Sequence, residues 1–255
     1  MNKPLNVYVI GDTQVRAGDR NPLIPVGWDI INTSPDVVVH LGDHHDFPSL
    51  SNYDLGKHSF DDRCYVRDVE AGNDAFREFW AIMQQGFNRN PKWNPKFVFL
   101  EGNHENRRHK AKDTGPRGYL QLLDLYRPDY NNWNVVSPFL QPYIINGVAF
   151  IHYVPNEFSD RPIGSAKLAL SKRHTSFVAG HKQILDQDEQ QKLDGGKIMG
   201  LIMGACYFHD EEYRGPTNQG HFRGIAYLRN LINGTWEAEY RNLESLDKKY
   251  GKPNG

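Results

Sequence analysis

NVYVIGDTQV, running from Asn6 to Val15, is a β-branched apolar run that breaks abruptly into Gly11-Asp12-Thr13-Gln14. A continuous apolar stretch of this length reads as a strand buried on both faces, and the Gly-Asp break as the loop leaving its C-terminal end. The same pattern recurs along the chain. Val37 to Leu41 ends in GDHHD, Phe97 to Leu100 in EGNHE, Val148 to Ile151 in His152, and Ser176 to Val178 in AGHKQ. Polar clusters at successive strand ends are what open α/β sheets produce, because the loops leaving that edge converge on one crevice.

Between these runs the period changes. Val66 to Phe87 places Val69, Phe76, Phe79, Trp80 and Met83 along one helical face, and PRGYLQLLDLY from Pro116 is a shorter helical candidate. Asn-Gly at 146–147 and again at 233–234 sits between β-like runs, the strongest short hairpin signal. Early β-α-β units followed by hairpin-rich β structure predict a layered α/β sandwich. At 255 residues one core is the expectation, a single domain over 1–250 with 251–255 as a flexible tail.

Lys and Arg total 30 against 31 Asp and Glu, a formal charge of −1, so bulk charge names no partner and lacks the excess of a tight nonspecific nucleic-acid binder. Cys64 and Cys206 stand apart, outside any C-x-x-C, which suits a reducing compartment. The first residues lead straight into a strand rather than a cleavage site, and no apolar stretch has membrane-spanning length. A soluble, unprocessed cytoplasmic protein is the expectation.

The strand-end clusters, in order, are Asp12 and Gln14; Asp43 and Asp46; Asn103, His104 and Glu105; His152; and His181 and Gln183. Carboxylate, amide and imidazole groups delivered by five loops to one edge suit two cations that share a carboxylate. That arrangement serves phosphoryl hydrolysis, where paired ions stabilise both attacking and leaving oxygens.

At these residues the chain resembles the calcineurin-like metallophosphoesterases, whose ordered blocks D-x-H, G-D-x-x-D, G-N-H-[DE], H and G-H-x-H appear here as GDTQ, GDHHD, GNHE, FIHY and GHKQ. The resemblance implies a four-layered αββα sandwich with mixed sheets and a two-metal site. Carried over by position, it puts Asp12, Gln14, Asp43 and Gln183 around the first ion and Asp43, Asn103, His152 and His181 around the second, with Asp43 bridging. It gives His104 the role of general acid or phosphate-oxygen donor, oriented by Asp46, and Arg107 the role of phosphate grip, with Arg108 able to take the same part.

Two departures stand out. Both imidazoles of the first-metal pattern are glutamines here, Gln14 and Gln183, open to direct ligation through the amide oxygen or to hydrogen bonding of a water or the phosphate. An almost all-oxygen first site favours manganese, magnesium or calcium, while the imidazole-bearing second site suits manganese, iron or zinc. Two divalent cations are expected, manganese first among them, with the second ion tight and the first weak. His40, His44, His45, His58, His109, His209 and His221 are expected at the surface, with His44 or His209 the first to replace a lost imidazole.

The basic run NRRHKAK, Asn106 to Lys112, with Arg117 beyond it, reads as a solvated helix start or as a contact to substrate phosphates. Tyr53, Phe60 and Tyr213, in polar-aromatic loops, are candidates to stack on a base. The leading expectation is a phosphodiesterase, with nucleic acid among its candidate substrates. A phosphomonoesterase and a metal-poor binding scaffold are the alternatives.

Overall fold

In the computed structural model, which describes residues 3–51, 62–114, 117–210 and 221–251, each of the five apolar runs is a strand. Tyr53, His58, Phe60 and Tyr213 lie outside the described residues, as do 252–255 of the expected tail. In chain order the elements are β1 (Leu5–Ile10), α1 (Leu23–Thr33), β2 (Val37–His40), α2 (Tyr65–Arg89), β3 (Lys96–Leu100), α3 (Asn103–Thr114), α4 (Arg117–Leu125), β4 (Val135–Ser137), β5 (Tyr143–Ile145) and β6 (Val148–Ile151). They continue with α5 (Ala166–Arg173), β7 (Phe177–Gln183), β8 (Asp186–Gln191), β9 (Lys197–Gly204), β10 (Gly224–Ile232), β11 (Thr235–Asn242) and α6 (Leu243–Tyr250).

The strands form two mixed sheets, one of six strands in the order β11-β10-β1-β2-β3-β4 and one of five in the order β5-β6-β7-β9-β8. β1 to β4 run parallel, as do β6, β7 and β9, while β10, β11, β5 and β8 pair antiparallel. Alternation along each strand then assigns the layers. Tyr8, Ile10, Val38, Phe97 and Phe99 face outward onto Leu23, Val26, Ile30, Phe76, Phe79, Met83 and Leu246 of α1, α2 and α6. Their neighbours Val7, Val9, Val37, Val39 and Val98 face inward onto Val148, Phe150, Val178, Leu201 and Met203 of the second sheet. The opposite face of that sheet, Ile151, Phe177, Ala179 and Ile202, is covered by Ala166, Ala169 and Leu170 of α5. Helices, sheet, sheet and helix make the four-layered sandwich, and burial of both strand faces is why the sequence runs are apolar without alternation.

Both Asn-Gly pairs are hairpin turns with the two residues in the left-handed region, at φ 44° and 84° for Asn146-Gly147 and 51° and 83° for Asn233-Gly234. The turns also touch. The Gly234 amide donates to the Asn146 carbonyl at 2.9 Å, and Asn146 Nδ2 donates to the Leu231 carbonyl at 3.0 Å, clipping one sheet to the other. β8, DQDEQQ, has no apolar signal at all. It is an edge strand whose polar side chains are half-buried or exposed, so pairing to β9 alone defines it. Among the described residues no helix is long and apolar enough to cross a membrane.

Candidate metal centre

The loops leaving β1, β2, β3, β6 and β7 meet at one edge because the backbone there is packed unusually close. Gly42 adopts φ 99°, and a Cβ on Gly102 would stand 2.1 Å from Asp43 Oδ1, so only glycine lets the GD and GN turns touch. Glu105 fastens the same junction. Its buried carboxylate accepts the backbone amides of Gly102, Asp43, His44 and His45 at 2.8 to 3.0 Å. The last residue of the GNHE block is thus a clamp on the GDHHD loop, a part that its position beside His104 in the chain does not reveal.

Into this edge project the sequence-predicted residues. Asp12, Gln14, Asp43, His152 and Gln183 are at most 3% exposed. Ligand atoms of Asp43, His152 and His181 lie within 4.8 Å of one another. Asn103 Oδ1 is 2.9 Å and Asp43 Oδ2 3.3 Å from His152 Nε2, while His152 Nδ1 donates to the Leu41 carbonyl at 2.8 Å. The Leu41 bond fixes the ring and turns Nε2 into the site, the arrangement that orients a metal-ligating histidine.

On the first-ion side, Asp12 Oδ1 accepts the His181 amide at 3.0 Å, whereas Asp12 Oδ2 and Gln14 Oε1 are buried with no hydrogen-bond partner. A buried, electron-rich oxygen without a partner is disfavoured, and a bound cation would satisfy such an oxygen. The residues therefore fit a bound cation. Gln183 is differently placed: its Oε1 accepts from the Tyr207 hydroxyl at 2.9 Å, and the Tyr207 ring stacks on His209 at 4.2 Å.

The electrostatics agree with a cation pocket. Burial opposes ionisation of Asp43, but His104 and His152 outweigh it and hold the carboxyl well below the usual range. Burial, then the charge of Asp43, pushes Asp12 up to about 7. His152 is disfavoured as a cation by burial, yet Asp43 and Asp12 prevail and raise it to about 9. Burial and the neighbouring His152 push His181 down to about 4. Without an ion, a proton on His152 supplies the positive charge.

A pH prediction follows. Between about pH 7 and pH 9 the folded, metal-free chain holds a proton on His152 that the unfolded chain, with an ordinary histidine value near 6.5, has released. More protons in the folded state means that the melting temperature of the metal-free protein falls as pH rises through this window. A metal ion displaces that proton, so apparent affinity rises with pH, by at most about tenfold per pH unit for each proton displaced. Calorimetric titration with manganese in buffers of different ionisation enthalpy should register the released proton. Affinity independent of pH would contradict the assignment of His152 as a ligand.

His104, its side chain 13% exposed, stands beside Asp43 and Asp46. Its Nδ1 is 2.8 Å from Asp46 Oδ1 and from the Asp46 carbonyl, and its Nε2 is 3.7 Å from Asp43 Oδ2. Burial acts against its charge, but Asp43 and Asp46 together raise its pKa. Asp46 is itself backed by Arg16 Nε at 2.5 Å and, despite burial, is held low by His104 and Arg16. Arg107 turns its guanidinium to the Asp46 carbonyl at 2.8 Å and to His104 Nε2 at 3.1 Å. Arg108 instead bonds Tyr65 and the Leu123 carbonyl, joining α3 to α2 and α4.

Three histidines require correction. His40, His44 and His45 are not at the surface; all are fully buried under Phe76, Phe99 and Phe47. The aromatic cluster that covers them comes from α2, β3 and the loop after Asp46, elements a local reading of GDHHD does not include. Nor does His44 replace a lost imidazole, because Nδ1 is bonded to Thr13 Oγ1 at 2.7 Å and Nε2 to the Gly72 carbonyl at 3.0 Å. His209 pairs with Asp19 at 2.9 Å. His109 is surface-exposed, as expected, beside Glu101.

The ends of the strands in this sandwich gather buried carboxylates, amides and imidazoles at one edge, a donor set that could hold a metal ion. The chain belongs to the calcineurin-like phosphoesterase family, whose family model matches residues 5–213. Over 50 residues it is 46% identical to the Gene 54 protein of Mycobacterium phage D29, a match spanning 20% of each chain and so one fifth of that relative's length. Among solved structures, wild-type Vps29 of Entamoeba histolytica, complexed with zinc, is similar over 93% of this chain and 99% of its own, at 13% identity and a TM-score of 0.40.

Proposed function

We propose that this phosphoesterase is a two-metal phosphodiesterase acting on small diesters, with manganese as its preferred ion. The observation that carries the reading is the pair of orphaned buried oxygens, Asp12 Oδ2 and Gln14 Oε1, set against the separate cluster of Asp43, His152 and His181. Asp12, Gln14 and Asp43, with Gln183 beside them, would hold one ion, and Asp43, Asn103, His152 and His181 the other. When bound, such ions supply Lewis acidity to the phosphoryl oxygens and lower the pKa of the attacking water.

The chain's own residues account for the rest. His104, whose pKa Asp43 and Asp46 raise, is placed to donate from Nε2 to the leaving oxygen, and Asp46 fixes the ring through Nδ1. Arg107 donates to that same Nε2 only while the imidazole is neutral. A protonated His104 presents a second donor there, which turns Arg107 away and leaves its fork for phosphate.

Support for nucleic acid is weaker than the basic run suggests. Arg108 is engaged with the Leu123 carbonyl, and Lys112 pairs with Asp124. An intrinsic role for these cations in joining α3 to its neighbours favours a small diester over a polymer. The test is hydrolysis of a chromogenic diester and its matching monoester by metal-stripped protein given manganese, magnesium or zinc separately. Diester turnover that saturates at two sites supports the proposal; faster monoester turnover, or no turnover with any ion, overturns it.

The glutamines give a further expected result. Gln14→His with Gln183→His should tighten the weaker ion on the order of tenfold, within the range that a changed metal environment produces, and shift preference toward zinc. Calorimetry with each ion checks this. An unchanged metal profile means that neither glutamine is a ligand.

A further inference from the structure

Behind the metal centre, toward α2, three side chains outside the ligand set form a line of hydrogen bonds whose direction is fixed at both ends. The Gly42 amide can only donate, and it meets His40 Nδ1 at 3.1 Å. The His40 proton therefore sits on Nε2 and is donated to Thr13 Oγ1 at 3.1 Å. At the far end the Gly72 carbonyl can only accept, and it takes the His44 Nε2 proton at 3.0 Å. His44 Nδ1 is left as an acceptor, 2.7 Å from Thr13 Oγ1. The Thr13 hydroxyl thus accepts from one imidazole and donates to the other, and no other residue type of that size except serine does both.

Thr13, His40 and His44 are at most 1% exposed, so water cannot substitute for any of these bonds. Their placement is specific. Thr13 lies between Asp12 and Gln14, while His40 and His44 flank Gly42-Asp43. Through the backbone, Thr13 and Gln14 both donate to the Asp43 carbonyl, at 3.1 and 2.8 Å, and Val15 donates to that of His44 at 2.7 Å. Gln14 and Asp43 hold left-handed backbone at φ 37° and 50°, which side-chain-bearing residues keep only when neighbours enforce it. His44 is held in turn by stacking on Phe76 at 3.7 Å and 6°.

We propose that Thr13, with His40 and His44 behind it, is a positioning residue of the metal centre. Its hydroxyl sets where Asp12 Oδ2 and Gln14 Oε1 stand relative to Asp43, and thereby the affinity of the first ion. The inference rests on the two-ion reading given above.

The experiment is manganese titration of the metal-stripped, full-length protein by calorimetry, with the metal-free melting temperature measured alongside, for Thr13→Val and Thr13→Ser. Valine keeps the shape and removes the hydroxyl; serine keeps the hydroxyl. The expected result is a loss of about tenfold or more at the weaker ion for Thr13→Val, the tighter ion nearly unchanged, and Thr13→Ser within about threefold of the parent at both. Parent-like binding by Thr13→Val overturns the proposal, as does an equal loss in Thr13→Ser. Equal weakening of both ions with a lower metal-free melting temperature also overturns it, since that is the mark of a residue serving only the fold. Should Thr13→Val not fold, Thr13→Ala is read in the same way, and parent-like affinity in it overturns the proposal. If the unsubstituted protein binds a single ion, the two-ion reading fails on its own. The Val and Ser comparison on that one ion then decides the role of Thr13: a loss in Val that Ser restores sustains it, and no difference overturns it.

Discussion

Asp43→Asn should lower diester turnover by on the order of 10²–10³-fold, the scale of removing one pre-organised electrostatic group from an active site. The substitution is nearly isosteric, and the amide oxygen can still accept the His104 backbone N–H that Asp43 Oδ1 accepts at 2.8 Å. What it removes is the negative charge that both ion positions share in the proposed site and that raises the pKa of His152 and of His104. Two consequences are measurable. Manganese affinity should fall at both positions rather than one, and the His152 pKa, read by NMR in metal-free protein, should drop from about 9 toward its ordinary value. Parent-like turnover, or loss at only one ion, would deny Asp43 its bridging place.

His104→Gln should behave differently, because the His104 ring is no member of either proposed ligand set and its Nε2, 3.7 Å from Asp43 Oδ2, is beyond hydrogen-bond distance. Loss of a positioned general acid typically costs about 10²–10⁴-fold. The loss should be largest for an alkoxide leaving group and shrink for p-nitrophenolate, which departs without a proton. Manganese affinity should stay within about twofold of the parent, since the His104 backbone amide to Asp43 is retained. A leaving-group series on the parent and His104→Gln proteins, with metal titrations beside it, separates proton donation from metal support. A constant loss across the series would remove the general-acid role and leave His104 as a binder of phosphate oxygen.

Much of this was legible from local chemistry. The apolar runs that end in GD, GN and GH mark strands buried on both faces, and the two Asn-Gly turns mark hairpins, because each depends on backbone preferences a few residues long. The residues that gather at the sheet edge were legible for the same reason, each block being a strand end with its loop. β8 was not, since an edge strand made wholly of polar residues owes its existence to its partner.

The sequence by itself determined which residues meet at the sandwich edge and that the first-ion side carries amides where imidazoles are the family pattern. Only the tertiary structure decided how they are held. Glu105 gathering the amides of Asp43, His44 and His45, Arg107 turned onto the Asp46 carbonyl, and His40, Thr13 and His44 linked behind the centre all join segments 27 to 62 residues apart. Burial decided the histidines as well. GDHHD reads as a polar loop, yet Phe76 from α2 stacks on His44 within it and Phe99 from β3 packs on His40 just before it, and whether an imidazole is solvated or locked into one tautomer depends on those distant walls rather than on its neighbours in the chain.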